Sequence, residues 1–465
     1  MSGIFGVASK EDCTELLFYG TDYHSHLGTA YGGMAVLGDI FVRQIHDLSQ
    51  GQFKSKFYED FRHMKGNKGI GVISDCDEQP IYINSKFGPF CIVTNGFIEN
   101  AEKLTHKLLK KGISFSEMSQ GNINMTELVA KLITQGKDLI DGIEKMFSVI
   151  DGSCSLLILN EEGIYAARDR YGYTPLVVGH RDNAYAVTTE SSAFPNTEFK
   201  TIKYLEPGEI TLINETGVVE KRKGKPVNKI CAFLWIYTGF PASNYEGINT
   251  EMVRERCGQC LARSDNDIEI DFVSGVPDSG MGHGLGYAME SKIPMRRSLV
   301  KYTPGYGRSY VPPTQDTRDL IARMKLIPIR EIIENKKVLL CEDSIVRGTQ
   351  LKNYTIKKLW DADATEVHVR VACPPLMFPC KFNLSTRSIN ELAARKAIRS
   401  IEGYDLENVE EYINPDSEKY LRMVEWIASD LEVTTLRYLS IDDIVSAIGL
   451  PKEKLCLYCW TGEST

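Results

Sequence analysis

The hydrophobic pattern of the chain is most informative around residues 338–350. An apolar run at 338–341 predicts a buried strand of a parallel sheet. Two carboxylates, Glu342 and Asp343, follow where that strand should end, and a loop of Ser, Arg, Gly and Thr comes next. Beyond the loop, apolar residues recur at the spacing of one helix face: Ile356, Leu359 and Trp360. The pattern therefore predicts a strand, a polar loop and a helix in succession.

A polar loop between a strand end and a helix N-terminus suits a phosphate group, because the loop amides and the helix dipole both point at the anion. Gly348 lets the backbone come close to the anion, and Ser344 and Thr349 can add hydroxyl donors. Glu342 and Asp343 would repel a phosphate, so we expect them to accept hydrogen bonds from vicinal sugar hydroxyls. The two features together describe a site for a phosphoribosyl donor, and the alternative is an ordinary strand–turn–helix with a charged turn.

Short apolar runs bounded by turn residues predict strands elsewhere in the chain. In the first half these runs lie at 3–8, 69–73, 90–93 and 155–159. Residues 126–135 have helical spacing through Leu128 and Leu132. In the second half, 270–280 repeats the strand-then-loop pattern and ends in Pro-Asp-Ser-Gly, a turn placed where doubly wound sheets bind their ligands.

Composition narrows the class of protein. The 465 residues are 43% hydrophobic and 25% charged, as in an ordinary globular protein, and the net charge of -8 argues against a nucleic-acid partner. The sequence has no apolar run of roughly eighteen residues and no secretory signal at its start, so we expect no membrane partner and a cytoplasmic location. Most of the twelve cysteines, such as Cys91, Cys154 and Cys341, lie in apolar runs and are predicted to be buried thiols.

Several motifs of the first half resemble the glutaminase domain of class II glutamine amidotransferases, which is an N-terminal nucleophile hydrolase. They are Gly3-Ile4-Phe5-Gly6, His26-Leu27-Gly28, Thr94-Asn95-Gly96-Phe97, Ala167-Arg168-Asp169-Arg170-Tyr171-Gly172, Thr189-Glu190-Ser191 and Glu206-Pro207-Gly208. The resemblance implies an α+β domain with αββα layers, a nucleophile at residue 2 and an oxyanion-stabilising pair at Asn95 and Gly96.

Four positions depart from that family's pattern. Ser2 replaces the nucleophilic Cys, and a hydroxyl is far less ionised than a thiol. Leu27 replaces an Arg, Ser74 stands where an Arg grips the glutamine carboxylate, and Met125 stands where an Asp holds its amine. We therefore predict that this domain keeps its fold and has lost glutaminase activity. A Ser-nucleophile hydrolase for another amide is the alternative, and an engineered Ser2 is a less economical explanation of all four changes.

The second half resembles the type I phosphoribosyltransferases, and its motif order resembles the amidophosphoribosyltransferase family. The motifs are Val276-Pro277-Asp278-Ser279, Gly307-Arg308-Ser309, Arg323-Met324-Lys325-Leu326 and the stretch from Glu342 to Thr349. The resemblance implies an α/β domain that binds phosphoribosyl pyrophosphate (PRPP) through Asp278, Arg308, Lys325, Glu342, Asp343, Ser344, Ile345, Val346, Arg347, Gly348 and Thr349. It also implies that Mg²⁺ is held by Ser279, Glu342 and Asp343.

Three features qualify this second resemblance. The long loop at 301–315 is rich in Gly, Pro and Tyr and is a candidate lid, with a solvated surface loop as the alternative. The family's usual first Asp of the acidic pair is Glu342 here. The family's Arg-Pro-Asp-Ser motif reads Phe240-Pro241-Ala242-Ser243, which predicts altered contacts between the domains.

Four cysteines resemble the [4Fe-4S] ligands of the iron–sulfur subgroup of that family: Cys231, Cys380, Cys456 and Cys459. Four thiolates are what such a cluster requires, and zinc bound by the same thiolates is the alternative. Alone, the Cys-x-x-Cys at 456–459 would also fit a redox pair. A second Cys-x-x-Cys, at Cys257 and Cys260, lies in a helix-like run and is interpreted as core packing.

The sequence therefore predicts a glutamine amidotransferase-like domain over 1–228, a phosphoribosyltransferase domain over 229–400 and a helical segment with a cluster-ligand tail over 401–465. The expected reaction makes 5-phosphoribosylamine from PRPP and ammonia, the first step of purine synthesis. The alternatives are a regulatory paralogue that binds PRPP or purine nucleotides, and a transferase for another amine. The resemblance also implies a homo-oligomer.

Overall fold

The structure is a computed structural model that describes residues 2–119, 121–265, 267–302, 324–383 and 388–463. It divides into two compact units. The first unit comprises Met1–Cys231, Ala242–Gly247 and Lys381–Leu384, and the second comprises Ala232–Pro241, Ile248–Cys380 and Ser385–Thr465. The division after Cys231 lies close to the expected boundary at 228, and residues 401–465 fall within the second unit rather than in a unit of their own.

The first unit is rich in strands, as its apolar runs predict. Its strands are β1 Ser2–Ser9, β2 Tyr31–Leu37, β3 Phe41–Asp47, β4 Lys68–Ser74, β5 Ile81–Ser85, β6 Gly88–Ile98, β7 Met118–Ser119, β8 Asn122–Ile123, β9 Gly152–Asn160, β10 Gly163–Ala167, β11 Val177–Arg181, β12 Ala184–Thr188, β13 Lys200–Tyr204, β14 Ile210–Asn214, β15 Gly217–Arg222, β16 Ile230–Cys231 and β17 Asn244–Tyr245. The predicted strands at 3–8, 69–73, 90–93 and 155–159 are confirmed as parts of β1, β4, β6 and β9.

These strands form two large antiparallel sheets. One has seven strands in the order β13-β11-β12-β1-β4-β2-β3, and the other has six in the order β15-β14-β10-β9-β6-β5. The helices of this unit are α1 Thr14–Asp22, α2 Phe53–His63, α3 Ala101–Leu109, α4 Met125–Ile133 and α5 Leu139–Val149, with 3₁₀ turns at Ser191–Ala193 and Pro195–Thr197. Helix α4 confirms the predicted helix at 126–135, although it ends at Ile133.

Alternating side chains of β1 pack into two different hydrophobic cores. Ile4 lies in the apolar layer between the sheets, together with Val93 and Leu157 of the six-stranded sheet. Phe5 points to the opposite face, where it joins Phe18 of α1 in a second core. A third core joins α3, α4 and α5 to the outer face of the six-stranded sheet. The order of layers is therefore helix, sheet, sheet, helix, which confirms the expected αββα architecture.

The second unit contains a parallel sheet. Its strands are β18 Ile248–Asn249, β19 Phe272–Gly275, β20 Leu299–Lys301, β21 Leu326–Pro328, β22 Lys337–Glu342, β23 Glu366–Val371, β24 Thr435–Tyr438 and β25 Leu455–Cys456. Four of them form the sheet β19-β22-β23-β24, with all neighbours parallel. The buried strand predicted at 338–341 is confirmed as β22, whose residues 338–342 are all buried.

Helices flank this sheet, as expected of an α/β domain. They are α6 Thr250–Arg263, α7 Met281–Ser291, α8 Arg330–Ile333, α9 Thr349–Leu351, α10 Lys357–Trp360, α11 Ala393–Glu402, α12 Glu410–Ile413, α13 Glu418–Leu431, α14 Ile441–Ile448 and α15 Tyr458–Thr461. Single π turns lie at Leu234–Thr238 and Lys352–Ile356, and 3₁₀ turns lie at Ile389–Glu391 and Lys452–Lys454. None of the helices in the described part of the chain has the length and apolar character that crossing a bilayer requires.

A buried ion pair links strand β23 of the parallel sheet to Asp265, which lies two residues after the end of α6. Arg370 on β23 donates through Nε and Nη2 to the carboxylate of Asp265, and both side chains are fully buried. Tyr287 of α7 donates to the same carboxylate over 2.8 Å, and Arg437 on β24 donates to it from the solvent side. Such a network satisfies every group only while all members are present.

We expect Arg370→Met to destabilise the second unit by about 3 kcal/mol, because the substitution leaves Asp265 buried with incomplete compensation. Urea or thermal denaturation of the second unit measures this change. The exposed pair of Arg330 and Asp363 supplies the control, since Arg330→Met should cost less than about 1 kcal/mol. Equal effects of the two substitutions would contradict the argument.

Candidate active site

The parallel sheet brings two loops together at one edge. Gly275, the last residue of β19, pairs with Cys341 near the end of β22. The amide of Val276 continues this pairing by donating to the Cys341 carbonyl over 3.0 Å. Gly280 closes the loop after β19 so tightly that a Cβ there would lie 2.0 Å from the Cys341 carbonyl oxygen. The Pro-Asp-Ser-Gly turn and the Glu342–Asp343 pair are therefore neighbours, as the sequence predicts.

Glu342 and Asp343 form a buried pair of carboxyl groups, 9% and 4% exposed. The hydroxyl of Ser279 donates to Glu342 Oε1 over 2.6 Å, and the amide of Asp343 donates to the same atom over 3.0 Å. Burial, together with the charge of Asp343, raises the pKa of Glu342 well above its usual range. Burial likewise raises the pKa of Asp343 to about 6, against the opposing effects of Ser344 and Arg254.

The chemistry of this pair follows from its poor solvation. Two adjacent carboxylates that have lost water are stabilised by hydroxyl donors or by a cation. Ser279 and the pair place three oxygen-bearing side chains at one point, which is the ligand type that Mg²⁺ prefers. The positive charge of Arg254 acts on Asp343, and its guanidinium donates to the carbonyls of Trp235, Tyr237 and Gly239. The site therefore suits a ligand with vicinal hydroxyls, a divalent cation, or both.

The loop after the carboxylates has the backbone that its sequence predicts. Gly348 has φ +78°, a conformation that favours glycine, and it precedes α9. In this structure the Ser344 hydroxyl donates to Asp343, and its role as a phosphate donor stays a prediction. The side chain of Arg347 is exposed and bonds Glu391 over 2.7 Å, leaving the backbone amides of the loop as the main candidates for binding an anion.

Only some of the other residues that are predicted to bind PRPP lie in the described part of the chain. Asp278 is exposed and accepts a hydrogen bond from Lys301 Nζ over 2.9 Å. The carbonyl of Lys325 accepts from the amide of Tyr302, so Lys325 lies beside the strand that leads into the expected lid. Arg308 and most of the 301–315 loop lie outside the described residues.

In the first unit, the predicted glutaminase residues lie together. Strands β1 and β4 pair Ser2 with Ser74, and the Ser2 hydroxyl donates to Ser74 Oγ over 3.0 Å. The backbone N–H of Ser2 donates to Asn95 Oδ1 over 3.2 Å. Gly96 has φ +149°, and a Cβ there would lie 2.0 Å from the Ser153 carbonyl oxygen. The nucleophile position and the oxyanion pair are therefore adjacent.

The cavity at Ser2 is small for a glutamine. Its volume is about 20 Å³, which is room for one or two water molecules. Met125, Val129 and Ile98 contribute apolar surface to it, and among the described residues that line it there is no Lys or Arg. The buried Ser74 side chain carries no charge with which to hold a carboxylate.

Two polar residues of this cavity were not singled out by the sequence analysis. Cys76 and Asp77 both line it, directly after the Ser74 position. Burial raises the pKa of Asp77 to about 6, although the amides of Met125 and Thr126 donate to its carboxylate. The sequence feature that could have identified them is the run of polar residues that continues past the end of β4. A surface turn would produce the same run.

Ser243, from the altered Phe-Pro-Ala-Ser motif, lies within the first unit and donates to Glu190 Oε2 over 3.1 Å. Tyr245 donates to the other oxygen of Glu190 over 2.6 Å, and His26 Nε2 lies 2.9 Å from Oε2. Burial alone would raise the pKa of Glu190, but His26 and these hydrogen bonds lower it to about 2. Leu27, where the family has Arg, is buried instead of reaching toward a ligand.

Backbone hydrogen bonds within the second unit reach the carbonyls of Cys456 and Cys459. The amides of Met377 and Phe378 donate to the Cys459 carbonyl over 2.9 and 3.0 Å, and the amide of Ala232 donates to the Cys456 carbonyl over 3.3 Å. Cys380 follows Phe378 by two residues, and Cys231 precedes Ala232 along the chain. All four thiols are partly exposed. Across the described ranges, no three His, Cys, Asp or Glu side chains are arranged to hold a metal ion.

Known proteins resemble the chain along its full length. Residues 68–196 match the family model of the glutamine amidotransferase domain. Amidophosphoribosyltransferase of Bacillus subtilis is 30% identical over 99% of this chain and 93% of its own length, and that of Methanocaldococcus jannaschii is 29% identical over 100% and 97%. The chain belongs to the amidophosphoribosyltransferase family.

Solved structures agree with this assignment. The glutamine PRPP amidotransferase of Bacillus subtilis, complexed with ADP and GMP, superposes with a TM-score of 0.83 at 29% identity, covering 99% of this chain and 96% of that one. A second structure, described as the allosteric regulatory enzyme of purine biosynthesis, gives a TM-score of 0.84 at 30% identity. An N-terminal nucleophile hydrolase fold followed by a phosphoribosyltransferase fold is thereby confirmed for this member of the amidophosphoribosyltransferase family.

The raised pKa of Asp77 predicts how stability depends on pH. Between about pH 4 and 6 the folded state retains a proton that the unfolded state has lost, so this group lowers stability as the pH rises. We expect Asp77→Asn to stabilise the first unit at pH 7 by up to about 3 kcal/mol. The difference should disappear near pH 3, where both states are protonated.

Thermal denaturation of the first unit at the two pH values measures this effect. Asp182→Asn is the matched control, because Asp182 is an exposed aspartate of the same unit, and it should change neither value. A gain for Asp77→Asn that is the same at pH 3 and pH 7 would show that burial of the charge is not its cause.

Proposed function

We propose that this protein is an amidophosphoribosyltransferase that converts PRPP to 5-phosphoribosylamine and takes its nitrogen from ammonia. The observation that carries the proposal is the buried Glu342–Asp343 pair, which lies beside Ser279 and the 344–348 loop at one end of a parallel sheet. Membership of the amidophosphoribosyltransferase family supports the same reaction. The proposed binding mode places the ribose hydroxyls at the carboxylates and the 5-phosphate at the loop amides.

The reaction then has a simple course at these residues. Glu342 and Asp343 accept hydrogen bonds from the ribose and hold its C1 carbon toward the ammonia. As the C1–O bond breaks, its electron pair leaves with the pyrophosphate, and the ammonia lone pair forms the C1–N bond before one proton passes to solvent. Ser279, Glu342 and Asp343 would hold Mg²⁺, which supplies positive charge to the departing pyrophosphate. Binding beside buried carboxyl groups excludes water that would hydrolyse the donor.

The use of free ammonia rests on the first unit. Ser2 carries no thiol, and its hydroxyl is already hydrogen-bonded to Ser74. Met125 gives the cavity beside it apolar surface, and Asp77, the acid among its described lining residues, has its pKa raised to about 6 and already accepts the amides of Met125 and Thr126. The described lining residues include no Lys or Arg for the glutamine carboxylate, so the carboxylate contact and the thiol are both missing. Ammonia supplied by solution or by another protein would replace the glutaminase reaction.

We propose a [4Fe-4S] cluster bound by Cys231, Cys380, Cys456 and Cys459. The support is the family resemblance of these four cysteines, together with the hydrogen bonds within the second unit that the amides of Met377, Phe378 and Ala232 donate to the carbonyls of Cys459 and Cys456. The cluster would fasten the carboxyl-terminal tail, and iron and sulfide analysis distinguishes it from zinc. We also propose purine nucleotides as regulators, because the Bacillus subtilis relative was complexed with ADP and GMP. A homo-oligomeric state is proposed from the family resemblance alone.

One assay tests the function. Purified protein is given PRPP and Mg²⁺ with either ammonium or glutamine, and pyrophosphate release is followed. We expect release with ammonium and none above background with glutamine. Release with glutamine would contradict the loss of glutaminase activity, and PRPP binding without release would favour a regulatory protein.

Asp343→Asn should lower kcat/KM for PRPP with ammonium by roughly 100-fold, because it weakens an acceptor that orients the ribose. The matched control is Glu366→Gln at the opposite end of the neighbouring strand β23, where the carboxylate bonds Lys337 over 2.9 Å. That variant should retain activity within about twofold. If both variants had the same kcat/KM for PRPP, Asp343 would not be part of the PRPP site.

Restoring only the thiol should not restore glutamine use. We expect glutamate release by Ser2→Cys to remain near background, since Ser74 and Met125 still lack the charges that hold glutamine. Adding Ser74→Arg and Met125→Asp to that variant tests whether the missing charges are the cause. Glutamine-dependent activity in the single variant would show that the cavity binds glutamine by other contacts.

A further inference from the structure

The cavity at Ser2 contains a buried acid that the proposed reaction does not use. Asp77 is 5% exposed and lines this cavity, whose volume is about 20 Å³. Its carboxylate accepts hydrogen bonds from the amides of Met125 and Thr126 at the start of α4. The described lining residues include no Lys or Arg, so none of them supplies a positive charge to the carboxylate. A buried carboxylate without a cation beside it is unfavourable, which is consistent with its raised pKa.

A second side chain of the cavity has an unused polar group. Ser153 is 1% exposed, and its hydroxyl has no hydrogen-bond partner among the described residues. Ser153 lies on β9 and Asp77 follows β4, so two separate elements of the first unit bring polar groups to the same cavity. Because buried hydroxyl groups are normally hydrogen-bonded, the lone hydroxyl of Ser153 indicates that the cavity has an occupant.

The other walls of the cavity limit what that occupant can be. Ile98, Met125 and Val129 are apolar, and the volume is that of one or two water molecules. The Ser2 hydroxyl donates to Ser74 Oγ and keeps lone pairs with which to accept. The polar groups of the lining therefore suit a small occupant that donates several hydrogen bonds and carries a positive charge.

We propose that the cavity at Ser2 binds one ammonium ion, with Asp77 as its counter-ion and Ser153 as a neutral acceptor. The inference rests on the proposed use of ammonia, because it names a place in the first unit where the nitrogen source binds. Ammonium has four N–H donors and one positive charge in about the volume of a water molecule. It has no carboxylate, so it does not need the cation that the described lining lacks.

Water and potassium are the rival occupants. A water molecule would satisfy the Ser153 hydroxyl, but it brings no charge to the Asp77 carboxylate. A potassium ion brings the charge, but it exchanges its hydration shell for a ring of oxygen atoms, and apolar side chains occupy part of this wall. Ammonium is the occupant that matches both the buried acid and the small number of acceptors.

The test follows ¹⁵N-labelled ammonium chloride in the presence of the unlabelled full-length protein by proton–nitrogen NMR. Bound ammonium is shielded from water and should give a resonance separate from that of free ammonium, and titration gives the dissociation constant. Asp77→Asn and Ser153→Ala are compared with two controls. Asp182→Asn changes an exposed aspartate of the first unit, and Asp343→Asn changes the buried acid pair of the second unit. Circular dichroism confirms that each variant is folded.

We expect one bound ammonium per chain in the unmodified protein, and an equal concentration of potassium chloride should not displace it. Asp77→Asn should weaken binding by about 100-fold or more, because it removes the buried counter-charge. Ser153→Ala should weaken binding by roughly 10-fold, since it removes one acceptor for a charged donor. Both controls should bind within about twofold of the unmodified protein.

Thermal denaturation of the unmodified protein gives a second measurement that needs no substitution. The midpoint of the first unit should rise by about 3 °C between about 1 and about 100 mM ammonium chloride at constant ionic strength, because ammonium binds the folded state. Potassium chloride and sodium chloride should not produce this rise.

The proposal is overturned if the unmodified protein shows no bound ammonium, since the cavity then holds water. Displacement by an equal concentration of potassium would make it a general cation site. Unchanged binding in both Asp77→Asn and Ser153→Ala would place the ammonium elsewhere. Pyrophosphate release with ammonium is measured separately, so a transferase without this site and a site without transferase activity are distinguishable.

Discussion

The parallel sheet of the second unit holds two carboxyl groups, Glu342 and Asp343, buried side by side. Glu342 and Asp343 stand at the end of β22, where water is scarce, and their pKa values are raised accordingly. The sheet enforces this position, because parallel pairing with β19 on one side and β23 on the other fixes where β22 ends. The buried carboxyl pair is unfavourable without a ligand, because it has lost its water. Hydroxyl donors or a cation would stabilise it, so ligand binding at this end of the sheet is favoured.

The first unit keeps the fold of an N-terminal nucleophile hydrolase, although the sequence predicts that it has lost glutaminase activity. Its two sheets, three cores and the glycine at Gly96 keep the geometry that an N-terminal nucleophile hydrolase needs. The positions at which the family resemblance predicts glutamine recognition hold Ser74 and Met125, and residue 2 carries a hydroxyl. Ser2 and Met125 line the small cavity, and Met125 also packs against the core that joins α3, α4 and α5 to the six-stranded sheet.

Much of this could be predicted from the sequence. Strands β1, β4, β6, β9 and β22 are continuous apolar runs, and the contact of Ser279 with Glu342 follows from two strand ends that share one edge. Other features depend on which distant parts of the chain pack together, and no local sequence pattern predicts this. Cys76 and Asp77 follow directly after β4, and only the folded structure places them in the lining of the Ser2 cavity. The donation of the Ser344 hydroxyl to Asp343 was likewise invisible, because a side-chain rotamer decides it.

The account is tested most directly by a crystal structure of the protein soaked with PRPP and Mg²⁺. It predicts density with the ribose hydroxyls within hydrogen-bond distance of Glu342 and Asp343, and the 5-phosphate at the amides of residues 344–348. Density for the activated sugar elsewhere on the second unit, with the carboxyl pair still closed on Ser279 and Ser344, would contradict it.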